Sequence, residues 1–238
     1  MNCRNCQQAA GGNYCVHCGT PAVLKRVDGH YIVHEIQHIL HFEKGILYTV
    51  RALLLRPGQN IRAFLTENRS RLVKPVIFLI ITSLLYTAVA HFFHTGAGHA
   101  AAGGQGHSAT LAIKSWMAGH YGYANIIMGI FIALWLRLFG WKSGYNFFEI
   151  LIMLCFVMGT GMLIFAVFTL VEGLTGMHLS GVTAAVSLIY CVWAIGQFLG
   201  GRKWMSYLIA GVAYLLGMGT FMAGVNLAGF LVDVVKRA

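Results

Sequence analysis

The sequence predicts an all-α integral membrane protein: five transmembrane helices preceded by amphipathic interfacial helices and a small cysteine-bearing head. Three observations carry this. Of 238 residues, 58% are apolar and 10% charged, whereas soluble domains run at about 45–50% and about 25%. Five stretches are long and apolar enough to cross a hydrocarbon layer of ~30 Å. Ten of the 17 Lys and Arg residues lie before residue 75, the one-sided cation bias of a membrane protein with a cytoplasmic amino terminus. A disordered chain is excluded by the apolar content and by only three prolines, and the 29 glycines suit packed membrane helices.

Residues 1–21 are polar and lack the apolar core of a signal peptide. They hold Cys3 and Cys6 in CRNC and Cys15 and Cys18 in CVHC. Two thiolates separated by two residues chelate one zinc from a single turn, and two such turns close a tetrahedral site with no position left for substrate water. The expectation is a small N-terminal zinc ribbon holding one structural Zn2+, with His17 a bystander. A disulfide pairing conflicts with the reducing cytoplasm, and a redox CxxC explains only one of the two pairs.

Residues 22–74 form a basic stretch too polar to cross. In HYIVHEIQHILHF the apolar Ile32, Val33, Ile36, Ile39 and Leu40 recur every three or four residues, with His30, His34, His38 and His41 on the other face. A second amphipathic helix starts after Gly45 and stops at Pro57, and a third ends before Pro75. All three are expected at the membrane interface or packed under the bundle. Arg56, Arg62, Arg69, Arg71 and Lys74 are the expected lipid-headgroup contacts, because a juxtamembrane cation gains roughly 1 kcal/mol against an acidic leaflet. Anionic lipid is therefore the expected partner. Nucleic acid is not, since the cluster ends at a hydrophobic span with little aromatic interleaving.

Residues 75–238 carry the spans, expected at 75–94, 123–139, 147–171, 179–199 and 205–232. The Gly/Ala/His run GAGHAAAGGQGH places a loop over residues 95–122. Five crossings put the chain ends on opposite sides. Lys142 and the Arg202–Lys203 pair then lie inside with the head, and Lys236 and Arg237 lie outside. The expected location is the bacterial cytoplasmic (inner) membrane, with the amino terminus cytoplasmic and the carboxyl terminus outside.

Chemistry is sparse in the spans. Arg137 at the end of span two and Glu149 at the start of span three could pair across a cytoplasmic hairpin or line an inner mouth. Thr160, Gln197 and Asn226 are uncharged and expected to hydrogen-bond between helices. Cys155 and Cys191 read as small buried hydrophobes. His34-Glu35-Ile36-Gln37-His38 matches HExxH, the spacing that binds catalytic zinc with glutamate as base. His41 is the nearest candidate for a third ligand, and a metal-binding or proton-sensing histidine face is a further reading. Against the peptidase, the amphipathic period already explains histidines every three or four residues, and an all-helical chain offers no edge strand to hold an extended peptide.

The string from His34 to Pro75, with Lys44-Gly45, Tyr48-Thr49, Leu53-Leu54-Leu55-Arg56-Pro57-Gly58 and the basic run into Lys74-Pro75 behind a CxxC…CxxC head, resembles the domain-of-unknown-function family numbered 3667. The resemblance implies a zinc-ribbon-headed bacterial multi-span protein whose HExxH-like histidines are not a peptidase site. The LLLRPG…IRAFL element is also similar to the start of the five-span Yip family. On this basis the expected function is a non-enzymatic inner-membrane scaffold or adaptor, with a possible protein partner at the zinc ribbon and a possible homo-oligomer. A small-solute, ion or lipid carrier is the alternative, and an HExxH metallopeptidase a second one.

Overall fold

A computed structural model of the chain describes residue 17 and residues 45–67, 71–93, 108–140, 144–200 and 204–237. The four cysteines of the head, the three histidines of the HExxH face and Arg69 lie outside the described residues. Eight helices are present among those described: α1 (Gly45–Leu55), α2 (Pro57–Thr66), α3 (Pro75–Phe92), α4 (Ala109–Gly119), α5 (Tyr121–Phe139), α6 (Phe147–Thr175), α7 (Ser180–Leu199) and α8 (Trp204–Arg237). Five of them, α3, α5, α6, α7 and α8, are long and apolar enough to cross a membrane. The chain is a multi-pass membrane protein.

Local sequence explains where these helices begin and end. Pro57 and Pro75 stand at the first turns of α2 and α3, where a missing N–H costs nothing and the fixed φ suits a helix. A capping box opens α6: the Asn146 side chain accepts from the Glu149 N–H at 2.9 Å, and the Glu149 carboxylate accepts from the Asn146 N–H at 2.8 Å. Gly176 closes the same helix in the left-handed region, φ 70°, its N–H bonded to the Glu172 carbonyl at 2.8 Å.

The bundle is built around α6, which packs against α3, α5 and α7, while α8 closes the other side along α5 and α7. Every residue from Met153 to Gly161 is buried, so this part of α6 is enclosed on all faces, while Val167, Leu170, Val171 and Leu174 form an exposed apolar stripe in its second half. Close approach depends on individual glycines. A Cβ at Gly217 of α8 would sit 2.5–2.9 Å from backbone and side-chain atoms of Ile132 on α5, and one at Gly159 of α6 would sit 2.8 Å from the Phe78 ring of α3. Trp135 of α5 donates its indole N–H to the Thr220 hydroxyl of α8 at 3.3 Å.

Several expected boundaries shift. The second span starts at Tyr121, the third runs on to Thr175 and the fifth extends through Arg237, because a helix continues past the last apolar residue when its polar end groups reach water or a cap. The stretch 95–122 contains a helix rather than only loop. Ser108 caps α4 by accepting from the Leu111 N–H at 3.3 Å, and Asp233 near the end of α8 accepts from the Ala109 N–H at 2.7 Å. The helix rests where Gly229 lets Thr110 approach.

Gly217→Val should therefore separate α5 from α8 and lower stability by roughly 1–3 kcal/mol, read as a fall in the thermal midpoint in detergent. Gly219→Val, with nothing within 4 Å of its Cβ position, should leave the midpoint within error.

Candidate functional site: a helical clasp at one end of the bundle

Helices α1 and α2 meet at Arg56, whose φ of −145° and ψ of 64° turn the chain out of one helix into the next. The turn leaves α1 with carbonyls that need donors. The Leu53 carbonyl would ordinarily receive the N–H of residue 57, four positions on. Pro57 has none. The hydroxyl of Tyr190, from the middle of α7, donates to that carbonyl at 3.2 Å. The Asn60 side-chain amide donates to the Ala52 and Arg56 carbonyls, each at 2.9 Å. The Leu53 carbonyl that Pro57 strands is thus satisfied by Tyr190, while the Asn60 amide adds a second donor to the Ala52 and Arg56 carbonyls, which already accept the Arg56 and Asn60 N–H groups.

The start of α2 and the end of α7 cap each other. The Gly58 N–H, one of the orphan donors of the first turn, reaches the Gln197 side-chain oxygen at 3.3 Å. In return the Arg62 guanidinium donates to the Gln197 carbonyl at 2.5 Å and to the Phe198 carbonyl at 3.0 Å, two of the orphan acceptors of α7. A cation at a helix C-terminus also meets the negative end of the helix dipole. Gly58 makes the contact possible, since a Cβ there would lie 2.5 Å from the Gln197 carbonyl carbon. The preceding Leu-Arg-Pro-Gly string is therefore a docking element whose proline starts the helix and whose glycine removes the side chain at the point of closest approach.

Packing completes the clasp. Leu53 and Ile61 are fully buried. Phe64 meets Phe156 of α6 edge-on, ring centroids 5.2 Å apart, and Phe156 meets Phe78 of α3 at 6.0 Å. At the other end of α1 the Thr49 hydroxyl donates to the Gly45 carbonyl and accepts the Val73 N–H at 3.1 Å, and Arg71 donates to the Tyr48 hydroxyl at 2.6 Å while lying over its ring. Tyr145, just before α6, lies against Phe198 with ring centroids 4.3 Å apart. Burial pushes its hydroxyl pKa up, with the nearby Arg62 opposing and Glu149 adding.

These contacts set the depth of the hairpin. Tyr190 stands nine residues before the end of α7, a rise of roughly 13 Å along the axis, about twice the length of its own side chain. The 20 residues of α7 span about 30 Å, the thickness of the hydrocarbon core. The turn at residues 53–58 therefore lies alongside the second half of α7, from the level of Tyr190 to that of Gln197.

The structure distributes the site residues expected from sequence differently from one another. Arg62 is committed to the α7 end, whereas Arg56, Arg71 and Lys74 are exposed, Arg71 with a surface bond to Tyr48. Arg137 is exposed and Glu149 is engaged in its capping box, and the two are not brought into an ion pair. Among the described residues the ion pair formed is His178–Glu172 at 3.6 Å. Gln197 bridges helices as expected, Thr160 bonds the Phe156 carbonyl of its own helix and meets the Tyr190 hydroxyl of α7 across the helices, and Asn226 faces outward on α8. Cys155 and Cys191 are free and buried. No group of three or more potential metal ligands is found among the described residues.

Residues 43–87 match the family model described as "Protein of unknown function (DUF3667)". The matched segment takes in α1, α2 and most of α3. No curated protein matches the chain, and no solved structure does; the similarity to the Yip family finds no support.

Tyr190→Phe keeps the ring and removes the donor to the Leu53 carbonyl. It should lower stability by roughly 1–2 kcal/mol and speed amide exchange in residues 45–66 ahead of the rest of the bundle, as read by hydrogen-exchange mass spectrometry. Uniform loss of protection would contradict a local clasp.

Proposed function

We propose that the protein is a non-enzymatic scaffold or adaptor of the bacterial cytoplasmic membrane, in which a cytoplasmic zinc ribbon formed by Cys3, Cys6, Cys15 and Cys18 is anchored to a five-span bundle through the α1–α2 clasp. The observation that carries this reading is the reciprocal capping of α2 and α7. A segment joined to the bundle by side-chain and main-chain hydrogen bonds in both directions is firmly held, as an attachment point for a head must be. The solidly packed α6 and the absence of any buried charged side chain among the described residues support a bundle that serves as a base. The partners in this reading are anionic lipids around the basic end and a protein bound by the ribbon.

The purified protein should carry one zinc per chain that Cys3→Ser and Cys15→Ser each release. Topology reporters after residues 142 and 202 should read inside, and those after residues 105, 176 and 238 outside. Metal-free protein would remove the ribbon from the proposal. Liposomes containing the protein should remain inert to a panel of ions, small solutes and fluorescent lipids, and flux that Glu149→Gln alters would replace the scaffold with a carrier.

A further inference from the structure

We infer that the outward face of α1 is a binding site for an anionic phospholipid, in which Arg51 and Arg56 hold the phosphate and Leu54 and Leu55 lie along an acyl chain. The inference deepens the anionic-lipid reading above and rests on it, but it does not require the zinc ribbon. It starts from register. Leu47, Arg51, Leu54 and Leu55 recur at intervals of four, three and one, which places them on one face of α1. Opposite them Thr49 and Leu53 are fully buried against the rest of the chain. On the outward side Leu47 is 72% exposed, Leu54 46% and Leu55 64%, and Arg51 and Arg56 are exposed beside them.

Depth decides what covers this face. The carboxyl end of α1 is held to mid-span Tyr190, so Leu54 and Leu55 lie at the level of acyl chains. A guanidinium at that level is costly unless it reaches the interface and finds a counter-charge. The arginine stem can lie along the leucines while its head reaches outward. Among the described residues Arg51 and Arg56 have no acidic partner, in contrast to Arg62, whose guanidinium donates to two carbonyls of α7. Phosphate suits two such groups, since the planar guanidinium presents paired donors to its oxygens. Charge complementarity therefore selects an anionic phospholipid over a zwitterionic one. Charge along the sequence already places Arg56 among the expected headgroup contacts, and the register of α1 adds Arg51 to it.

The test is native mass spectrometry of the full chain released from detergent after addition of phosphatidylglycerol or phosphatidylcholine. The wild-type protein should retain phosphatidylglycerol in preference, and Arg51→Gln combined with Arg56→Gln should cut that preference about tenfold or more, at roughly 1 kcal/mol per cation. Neither arginine side chain bonds another described residue, so the thermal midpoint should not move. Arg137→Gln, which removes one exposed charge at the same end of the bundle but off α1, should leave the preference unchanged. If Arg137→Gln lowers it as far per charge as the α1 variant, the general attraction of this end for acidic lipid stands and the α1 site falls. Equal retention of the two lipids by the wild type would overturn both, as would a protein segment cross-linked across Leu54 and Leu55.

Discussion

A break in a helix inside hydrocarbon must be repaired by the protein itself, because lipid offers the freed carbonyls and amides no partner. The Arg56–Pro57 turn is such a break, and much of the structure at this end follows from it. Proline deprives the Leu53 carbonyl of its donor, and Tyr190 supplies one from a different span. The first turn of α2 is left with an orphan N–H at Gly58, and Gln197 accepts it. The same closeness brings Arg62 to the end of α7, where it serves the Gln197 and Phe198 carbonyls. Each repair draws on a residue more than a hundred positions away. The turn therefore cannot be kept at its depth unless α7 is already in place beside it.

This dependence has a direction. The five spans can satisfy their own backbones, as transmembrane helices must, and residues 153–161 of α6 find neighbours on every side. The hairpin cannot do the same: α1 has 11 residues and α2 has 10, below the ~12–15 at which isolated helices become stable in water. It holds its shape because the bundle completes its hydrogen bonds and buries Leu53, Ile61 and Phe64. The hairpin is thus positioned by α6 and α7, and they are not positioned by it. That order of dependence underlies the adaptor reading.

The spans were legible in the sequence because each is a local property of composition and length. The two hairpin helices were legible from Pro57 and Pro75 for the same reason. Their depth was not, since it depends on Tyr190 and Gln197, and nothing near Leu53 in sequence announces which tyrosine will reach it. Glu149 shows how a local signal can be present and passed over. Asn146 and Glu149 stand at capping-box spacing, yet the charge alone suggested a bond to Arg137. The carboxylate went to the nearer, obligatory task of satisfying the Asn146 N–H. The short helix α4 was missed because a Gly/Ala-rich run drew the whole connection into a loop, although Ser108 ahead of ATLAIKSWMAG is an ordinary N-cap; what stabilises that helix is Asp233, again far away.

The family match covers residues 43–87, which is one half of the clasp: the carbonyls released at the end of α1, Pro57, Gly58, Asn60 and Arg62. The other half, formed by Phe156, Tyr190, Gln197 and the Phe198 carbonyl, lies beyond the matched segment. A Leu-Arg-Pro-Gly turn carries its unsatisfied groups wherever it is embedded, so any chain that places it inside a leaflet must also provide a donor for the carbonyl that proline strands and an acceptor for the first turn of the next helix. The second half of the clasp is therefore specified by chemistry and position rather than by residue type. A serine, threonine or tryptophan could replace Tyr190, and any side-chain oxygen of similar reach could replace Gln197.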